Sequence, residues 1–108
     1  MKISELIKKL NLEVLSDFAL DGEISGCYAG DLLSLCMSNI ESKNLWLTVQ
    51  TNMNILGIAS LCEVSAVIIC QDMKISDDVV KKAREEKISL LRSDKTIYEL
   101  SNLIGEYI

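Results

Sequence analysis

The sequence contains no histidine and no proline, and it has only one tryptophan and one phenylalanine among 108 residues. Without histidine, the chain lacks the side chain that most often serves as a general acid or base at neutral pH and the commonest metal ligand. Without proline, nothing in the sequence indicates a linker or a domain boundary. The sequence therefore predicts a single domain over residues 1–108 with little catalytic equipment.

Two motifs that carry nucleotide and metal chemistry are also absent. No segment has the form G-x-x-x-x-G-K-[ST], so the phosphate-binding loop that kinase chemistry requires is missing and we exclude kinase activity. The four cysteines form no C-x-x-C pair, and each stands in an apolar run, where a reduced thiol acts as a small core residue. We therefore predict no metal, no cofactor and four reduced thiols at Cys27, Cys36, Cys62 and Cys70.

Charge and hydropathy restrict the environment and the partners. The net charge is −5, and lysine and arginine are dispersed among the acids, so no basic stripe is available for nucleic acid or for an anionic membrane. No run reaches the roughly 18–20 apolar residues of a membrane span, and Lys8 and Lys9 interrupt the stretch where a signal peptide would be apolar. These features predict a cytoplasmic protein. The hydrophobic fraction of 49% also favours extra buried surface, as at a subunit interface.

Short apolar runs alternate with helical patterns along the chain. Leu45–Val49 and Ala66–Cys70 are typical of buried parallel strands. The further predicted strands are Leu12–Leu15, Ser25–Ala29 and Ser89–Leu91. The first three predicted helices are Ile3–Leu10, with a cap at Ser4 and an end at Asn11, Leu32–Ser38, capped by Asp31, and Met53–Cys62. A fourth helix is capped by Ser76, and a fifth begins at Ser93 or Asp94.

This order predicts a three-layer α/β fold with a mostly parallel sheet of about five strands and helices on both faces. The first two strands are joined by a loop alone and could pair differently. The helix Met53–Cys62 has hardly any polar face, so it must be covered on more than one side. We therefore predict a homodimer with this helix at or near the interface, and with Leu56 and Ile58 at outward positions.

Five segments follow one another along the chain: KISELIKKLNLEVL, ISGCYAGDLL, VQTNMNILGIA, VSAVIIC and SDDVVKKAREEKISLL. Together they resemble the DRTGG domain and the similarly folded N-terminal domain of bacterial HPr kinase/phosphorylase. The residues that name the family differ, because Thr51-Asn52 stand in place of Asp-Arg and Cys70-Gln71-Asp72 in place of Thr-Gly-Gly. The chain thus resembles a divergent, stand-alone member. The resemblance implies a regulatory or dimerising module without catalytic activity of its own.

The turns after the parallel strands form the candidate site. Ligands of open α/β sheets bind beyond the carboxyl ends of the strands, where helix N-termini offer free N–H groups. Capping and solvation of these turns is the competing interpretation for each of the residues. Because Asp31 has no basic neighbour in sequence and Asp72 has only Lys74, a neutral, cationic or singly anionic ligand is favoured over a polyphosphate. The candidate residues are Gly30, Asp31, Gln50, Thr51, Asn52, Asn54, Gln71 and Asp72.

The sequence is compatible with two functions, a ligand-binding one and a protein-interaction one. The first is a non-catalytic, dimerising regulatory module that binds a small molecule such as a nucleotide. The second is an interaction module that docks on a partner enzyme through its apolar surface and binds no metabolite. A thermal-shift screen separates the two, since a ligand that binds only the folded state must raise the melting temperature.

Overall fold

The computed structural model describes all 108 residues as five strands and five helices. The first half of the chain contains α1 (Ile3–Leu10), β1 (Glu13–Ser16), β2 (Gly26–Ala29), α2 (Leu33–Asn39) and β3 (Asn44–Thr48). The second half contains α3 (Asn54–Cys62), β4 (Ala66–Ile69), α4 (Asp77–Glu85), β5 (Leu90–Arg92) and α5 (Ile97–Ile104). No helix has both the length and the apolar composition needed to span a bilayer.

The strands form one sheet in the order β1-β5-β4-β3-β2. The pairs β2–β3, β3–β4 and β4–β5 are parallel, and only β1 runs antiparallel, against β5. The predicted mostly parallel, five-stranded sheet is confirmed. The first two strands, whose pairing the sequence left open, lie at opposite edges.

Alternating side chains of the central strands build two hydrophobic clusters, one on each face of the sheet. Leu45, Leu47 and Ile68 contact α1 and α5 on one face. Trp46 and Val67 contact α2, α3 and α4 on the other. Every residue of β3 and β4 is buried, which explains why these strands appear in sequence as continuous apolar runs. The predicted three layers, with helices on both faces, are confirmed.

Four helix termini test the capping predictions. Asn11 adopts a left-handed conformation, φ 51°, and ends α1 as predicted, and the Ser76 hydroxyl accepts the Val79 N–H at the start of α4. The cap expected at Ser4 is wrong, because α1 already begins at Ile3. The opening of α5 at Ser93 or Asp94 is also wrong. Thr96 caps this helix and forms a capping box with Glu99, which satisfies two backbone N–H groups.

Helix α3 is less uniformly apolar in space than in sequence. Ile55, Leu56 and Ala59 pack against the sheet, whereas Leu61 is 66% exposed. The prediction that Leu56 points outward is wrong, because only 3% of the residue is accessible. Ile58 is half-buried. The sequence pattern overestimated the outward apolar surface of α3, because α4 and α2 flank this helix in the same layer.

Candidate ligand-binding edge of the sheet

The carboxyl ends of β2, β3, β4 and β5 meet at one edge of the sheet, as the parallel topology requires. The turns that follow β4 and β5 are tied to each other through their backbones. The Gln71 N–H donates to the Lys95 carbonyl at 2.8 Å, and the Asp72 N–H donates to the Ser93 carbonyl at 2.9 Å. This edge therefore carries all of the turns that the sequence proposed.

Asp31 connects the turn after β2 to the end of β3. Its Oδ1 accepts the Thr48 hydroxyl at 2.7 Å and the Val49 N–H at 2.8 Å. The Gln50 side-chain amide donates in turn to the Asp31 carbonyl at 3.1 Å. The prediction that Asp31 caps α2 is wrong, since α2 begins after Leu32 and has no side-chain cap. The carboxylate serves buried donors of the neighbouring strand instead.

Gly30 directly follows the last residue of β2 and lies beside the buried Trp46. The Trp46 indole N–H donates to the Gly30 carbonyl at 3.0 Å. A Cβ at this position would lie 2.9 Å from the Tyr28 ring, closer than real Cβ contacts come, so a side chain there would displace the ring. Gly30 is thus explained by packing, and its carbonyl is already hydrogen-bonded.

The residues of the turn before α3 have different roles. The Asn52 Oδ1 accepts the Asn54 N–H at 2.8 Å, which is the capping role that competed with ligand binding in the sequence. Asn54 lines a groove between α3 and α4, beside Lys82 and Glu86, and Asp31 is not part of this groove. Thr51 is half-buried at the edge, and its hydroxyl makes no hydrogen bond.

Gln71 and Asp72 form the most unusual backbone feature of the edge. Both residues are left-handed, with φ of 61° and 52°, and they are the only two adjacent non-glycine residues with positive φ in the chain. A left-handed conformation costs a residue with a side chain about 1–2 kcal/mol, although aspartate tolerates it better than most. The Lys95 and Ser93 carbonyls hold the pair in place. The strain is local to the turn after the central strand.

The charged partner of Asp72 is Arg92 on β5, which is distant from it in sequence. Arg92 Nε lies 3.6 Å from Asp72 Oδ1, and the same guanidinium donates twice to Glu13 at 3.0 and 2.8 Å. Arg92 and Lys95 are the residues near the site that the sequence analysis missed. The only signal that pointed to them was the predicted adjacency of β4 and β5, because each of them lies more than 19 residues from Asp72.

The structure brings the eight candidate residues together only in part. A hydrogen bond joins Asp31 and Gln50, next to Gly30, and Gln71 and Asp72 form a second group at the turn after β4. The remaining three candidates, Thr51, Asn52 and Asn54, are hydrogen-bonded to neither group. None of the four cavities in the molecule joins the two groups. A cavity of about 360 Å³ opens at the carboxyl edge beside the second group, with Glu13, Asp72 and Arg92 in its lining. Another cavity, of about 370 Å³, lies at the amino ends of the strands, near Phe18 and Ile88. The carboxyl edge therefore has a polar cleft beside Asp72, and this cleft does not reach Asp31.

All four cysteines are free, and their environments differ. Cys36 and Cys70 are buried core residues as predicted, whereas Cys62 is half-buried and Cys27 is exposed, so the prediction of a core position is wrong for Cys27. Desolvation raises the pKa of Cys70 to about 11, and desolvation of Cys27, although that residue is exposed, also raises its pKa to about 11. No three carboxylate or thiol groups are close enough together to hold a metal ion.

Because burial raises the thiol pKa, we expect slow alkylation of the native protein. With a pKa near 11, Cys27 at pH 8 has a thiolate fraction of about 0.001, roughly a hundredfold below that of an ordinary thiol. Mass spectrometry after a timed iodoacetamide pulse should show Cys27 mostly unmodified in buffer, and four modified thiols in denaturant. The native rate should rise with pH up to about 11. Rapid native labelling of Cys27 at pH 8, or fewer than four thiols in denaturant, would contradict this expectation.

The fold and this edge define a three-layer α/β domain with polar turns at the carboxyl ends of a parallel sheet. The family model described as the HPr serine kinase N terminus matches residues 47–108. This match covers more than half of the chain, and the chain belongs to that family. No curated protein sequence matches the chain.

A solved structure has the same fold. It contains the CBS and DRTGG domains of the regulatory region of a Clostridium perfringens pyrophosphatase, complexed with the activator diadenosine tetraphosphate. The TM-score is 0.72 at 13% sequence identity, and the similarity covers 95% of this chain. This chain spans 45% of the length of that protein chain. The likeness establishes a DRTGG-like fold.

Proposed function

We propose that this chain is a regulatory module without catalytic activity of its own, and that it binds a small molecule at the carboxyl edge of the sheet. The observation that carries the proposal is the left-handed pair Gln71–Asp72. Strained backbone that is held by tertiary hydrogen bonds is concentrated at ligand sites and switch regions. The pair stands where the family has Gly-Gly, and glycine is the residue that adopts a positive φ most readily.

The chemistry of the edge restricts the ligand. Asp31, Asp72 and Glu13 contribute negative charge, and Arg92 is already engaged by two of these carboxylates. Lys74 and Lys95 form no ion pair, but three carboxylates outnumber these two cations, so the charge of the edge disfavours a polyphosphate. The exposed Gln71 amide and the free Thr51 hydroxyl instead offer directional hydrogen bonds to an uncharged, cationic or singly charged anionic molecule, for example through the edge of a nucleobase.

We expect a thermal-shift screen of nucleosides, nucleotides and common metabolites to yield a ligand whose effect depends on Gln71. A ligand at a hundred times its Kd stabilises the folded state by about 2.7 kcal/mol, which corresponds to a melting shift of roughly 10 °C for a domain of this size. In Gln71→Gly this shift should be lost. The fold should survive, because glycine removes only the amide side chain and relieves the left-handed strain.

The control variant is Lys87→Gly. Lys87 is also exposed and left-handed, φ 59°, but it lies before β5, at the amino edge of the sheet. The substitution should match Gln71→Gly in its effect on the melting temperature of the free protein and leave the ligand shift unchanged. If binding survives Gln71→Gly, or if Lys87→Gly abolishes it equally, the carboxyl-edge site is refuted.

The alternative function, docking on a partner enzyme without a metabolite, rests on a different observation. Leu61 on α3 is 66% exposed, and the half-buried Ile58 lies on the same helix. Exposed apolar side chains in a group favour protein contacts. Absence of any ligand shift across the panel would favour this interaction module over the ligand-binding one.

A further inference from the structure

The two outer strands of the sheet, β1 and β2, are protected to very different degrees against pairing with a strand of another chain. At the β1 edge the register is broken by an irregularity between Val14 and Ser16. Arg84 Nη2 donates to the Leu15 carbonyl at 3.2 Å, and Glu13 adds a charged side chain. Bulges, charges and covered carbonyls are the devices by which proteins prevent an edge strand from pairing with another chain. The β1 edge is closed.

The β2 edge has none of these devices. Strand β2 (Gly26–Ala29) pairs with β3 in an unbroken register and has no strand on its other side. Asp31 is the only charged residue between Glu23 and Glu41, and its carboxylate is bonded inward to Thr48 and Val49. A free, uncharged strand edge is a template for pairing with another strand.

On one face, helix α2 places leucines beside this edge. Cys36 points into the core, and Met37 lies on the side toward α3, since the Cys62 thiol is 3.7 Å from the Met37 carbonyl. Residues at i−1 and i+1 of a helix flank residue i at about 100° on either side. Leu35, and Leu32 one turn before it, therefore lie on the side away from α3, beyond β2. They are 53% and 62% exposed.

On the other face, β2 and the end of α5 enclose a groove of about 350 Å³. Cys27 and Ala29 form its strand side, and both are exposed because α5 covers β2 only in part. No charged side chain lines the groove, whose residues are Gly26, Cys27, Ala29, Ser101, Ile104, Gly105 and Ile108. The edge is thus flanked by uncharged, largely apolar surface on both sides of the sheet.

We propose that two copies of this chain pair through their β2 strands, antiparallel about a twofold axis normal to the sheet, to form one continuous ten-stranded sheet. A second copy fits the edge because a chain of net charge −5 can meet its own copy closely only across a neutral surface, and the β2 edge supplies that surface. The same axis brings the two α2 helices together and removes Leu32 and Leu35 from water. The interface differs from the α3 surface that the sequence predicted, and it does not depend on the proposed ligand.

Sedimentation equilibrium and charge substitutions test this dimer. At tens of micromolar the unaltered protein should sediment as two chains of 12.0 kDa each. Leu35→Lys places a charge beside β2, and Ala29→Lys places one on the strand. Each should raise the dimer dissociation constant at least about tenfold. Leu61→Lys is the matched control, since it makes the same change at a more exposed leucine on α3 and should leave the dimer intact.

Hydrogen exchange tests the strand pairing without any substitution. The amides of Gly26–Ala29 should gain protection as the protein concentration rises through the dissociation constant, while those of β1 should not change. Circular dichroism and melting curves identify any variant that has lost its fold. A monomer at tens of micromolar overturns the proposal. So does a dimer that Leu61→Lys dissociates but Leu35→Lys and Ala29→Lys do not, because the interface would then lie on α3.

Discussion

Replacement of Trp46 with alanine should lower the free energy of unfolding by about 3–5 kcal/mol. Trp46 is fully buried on strand β3, and it packs with Ile55 and Val67 between the sheet and the helices. The truncation leaves a large cavity and removes the hydrogen bond from the indole to the Gly30 carbonyl. Because small domains have only about 5–15 kcal/mol of stability in total, the loss is a substantial part of it.

Urea titration followed by circular dichroism measures this effect, since Trp46 is the only tryptophan and its fluorescence is lost with it. Tyr98→Ala is the matched control. Tyr98 is 76% exposed on α5, and its truncation should change the stability by no more than about 0.5 kcal/mol. A stability of Trp46→Ala within 1 kcal/mol of the parent would contradict the described packing.

Replacement of Asp31 with alanine should lower the free energy of unfolding by about 2–4 kcal/mol. The carboxylate accepts two hydrogen bonds, from the Thr48 hydroxyl and the Val49 N–H, and Thr48 is completely buried. Without Asp31 both donors lose their partner in a place that water does not readily reach. An unsatisfied buried donor is more costly than the net value of the bond it made.

A double-mutant cycle with Thr48→Val tests this account of Asp31. The loss of unfolding free energy in the double variant should be smaller than the sum of the losses in the two single variants. Once valine replaces Thr48, Asp31→Ala no longer leaves a buried hydroxyl without a hydrogen-bond partner. Asp94→Ala provides the control, since Asp94 is exposed at the same edge and makes no hydrogen bond or ion pair. Equal destabilisation by Asp31→Ala and Asp94→Ala would show that the hydrogen bonds from Asp31 to Thr48 and Val49 contribute nothing to stability.

The sequence predicted the central sheet well because β3 and β4 are buried on both faces. Their apolar runs are then continuous, and no alternative element competes for them. Predicted helix boundaries moved by up to three residues where several polar side chains could each act as the cap. At the start of α5, Ser93, Asp94 and Thr96 are all good caps, and only the tertiary bonds that Ser93 makes to β4 and to Asp72 decide for Thr96.

The candidate site was harder to predict, for two physical reasons. Asp31 was assigned to α2 because local patterns favour capping, whereas its actual partner is Thr48, 17 residues away. The left-handed turn at Gln71 and Asp72 was invisible because glycine, the usual signal of positive φ, is absent there. In both cases long-range backbone hydrogen bonds override the local preference.

The position of β1 in the sheet determines when the protein can complete its fold. Glu13 pairs with Arg92, 79 residues later, and the Ser16 hydroxyl donates to the Ile88 carbonyl. During synthesis, β2, β3 and β4 emerge in the order in which they pair, so they can assemble progressively, whereas β1 must wait for β5. Until β5 is made, β1 has no strand to pair with, and α1 has only part of the core to pack against. The first strand to leave the ribosome is therefore the last to find its partner.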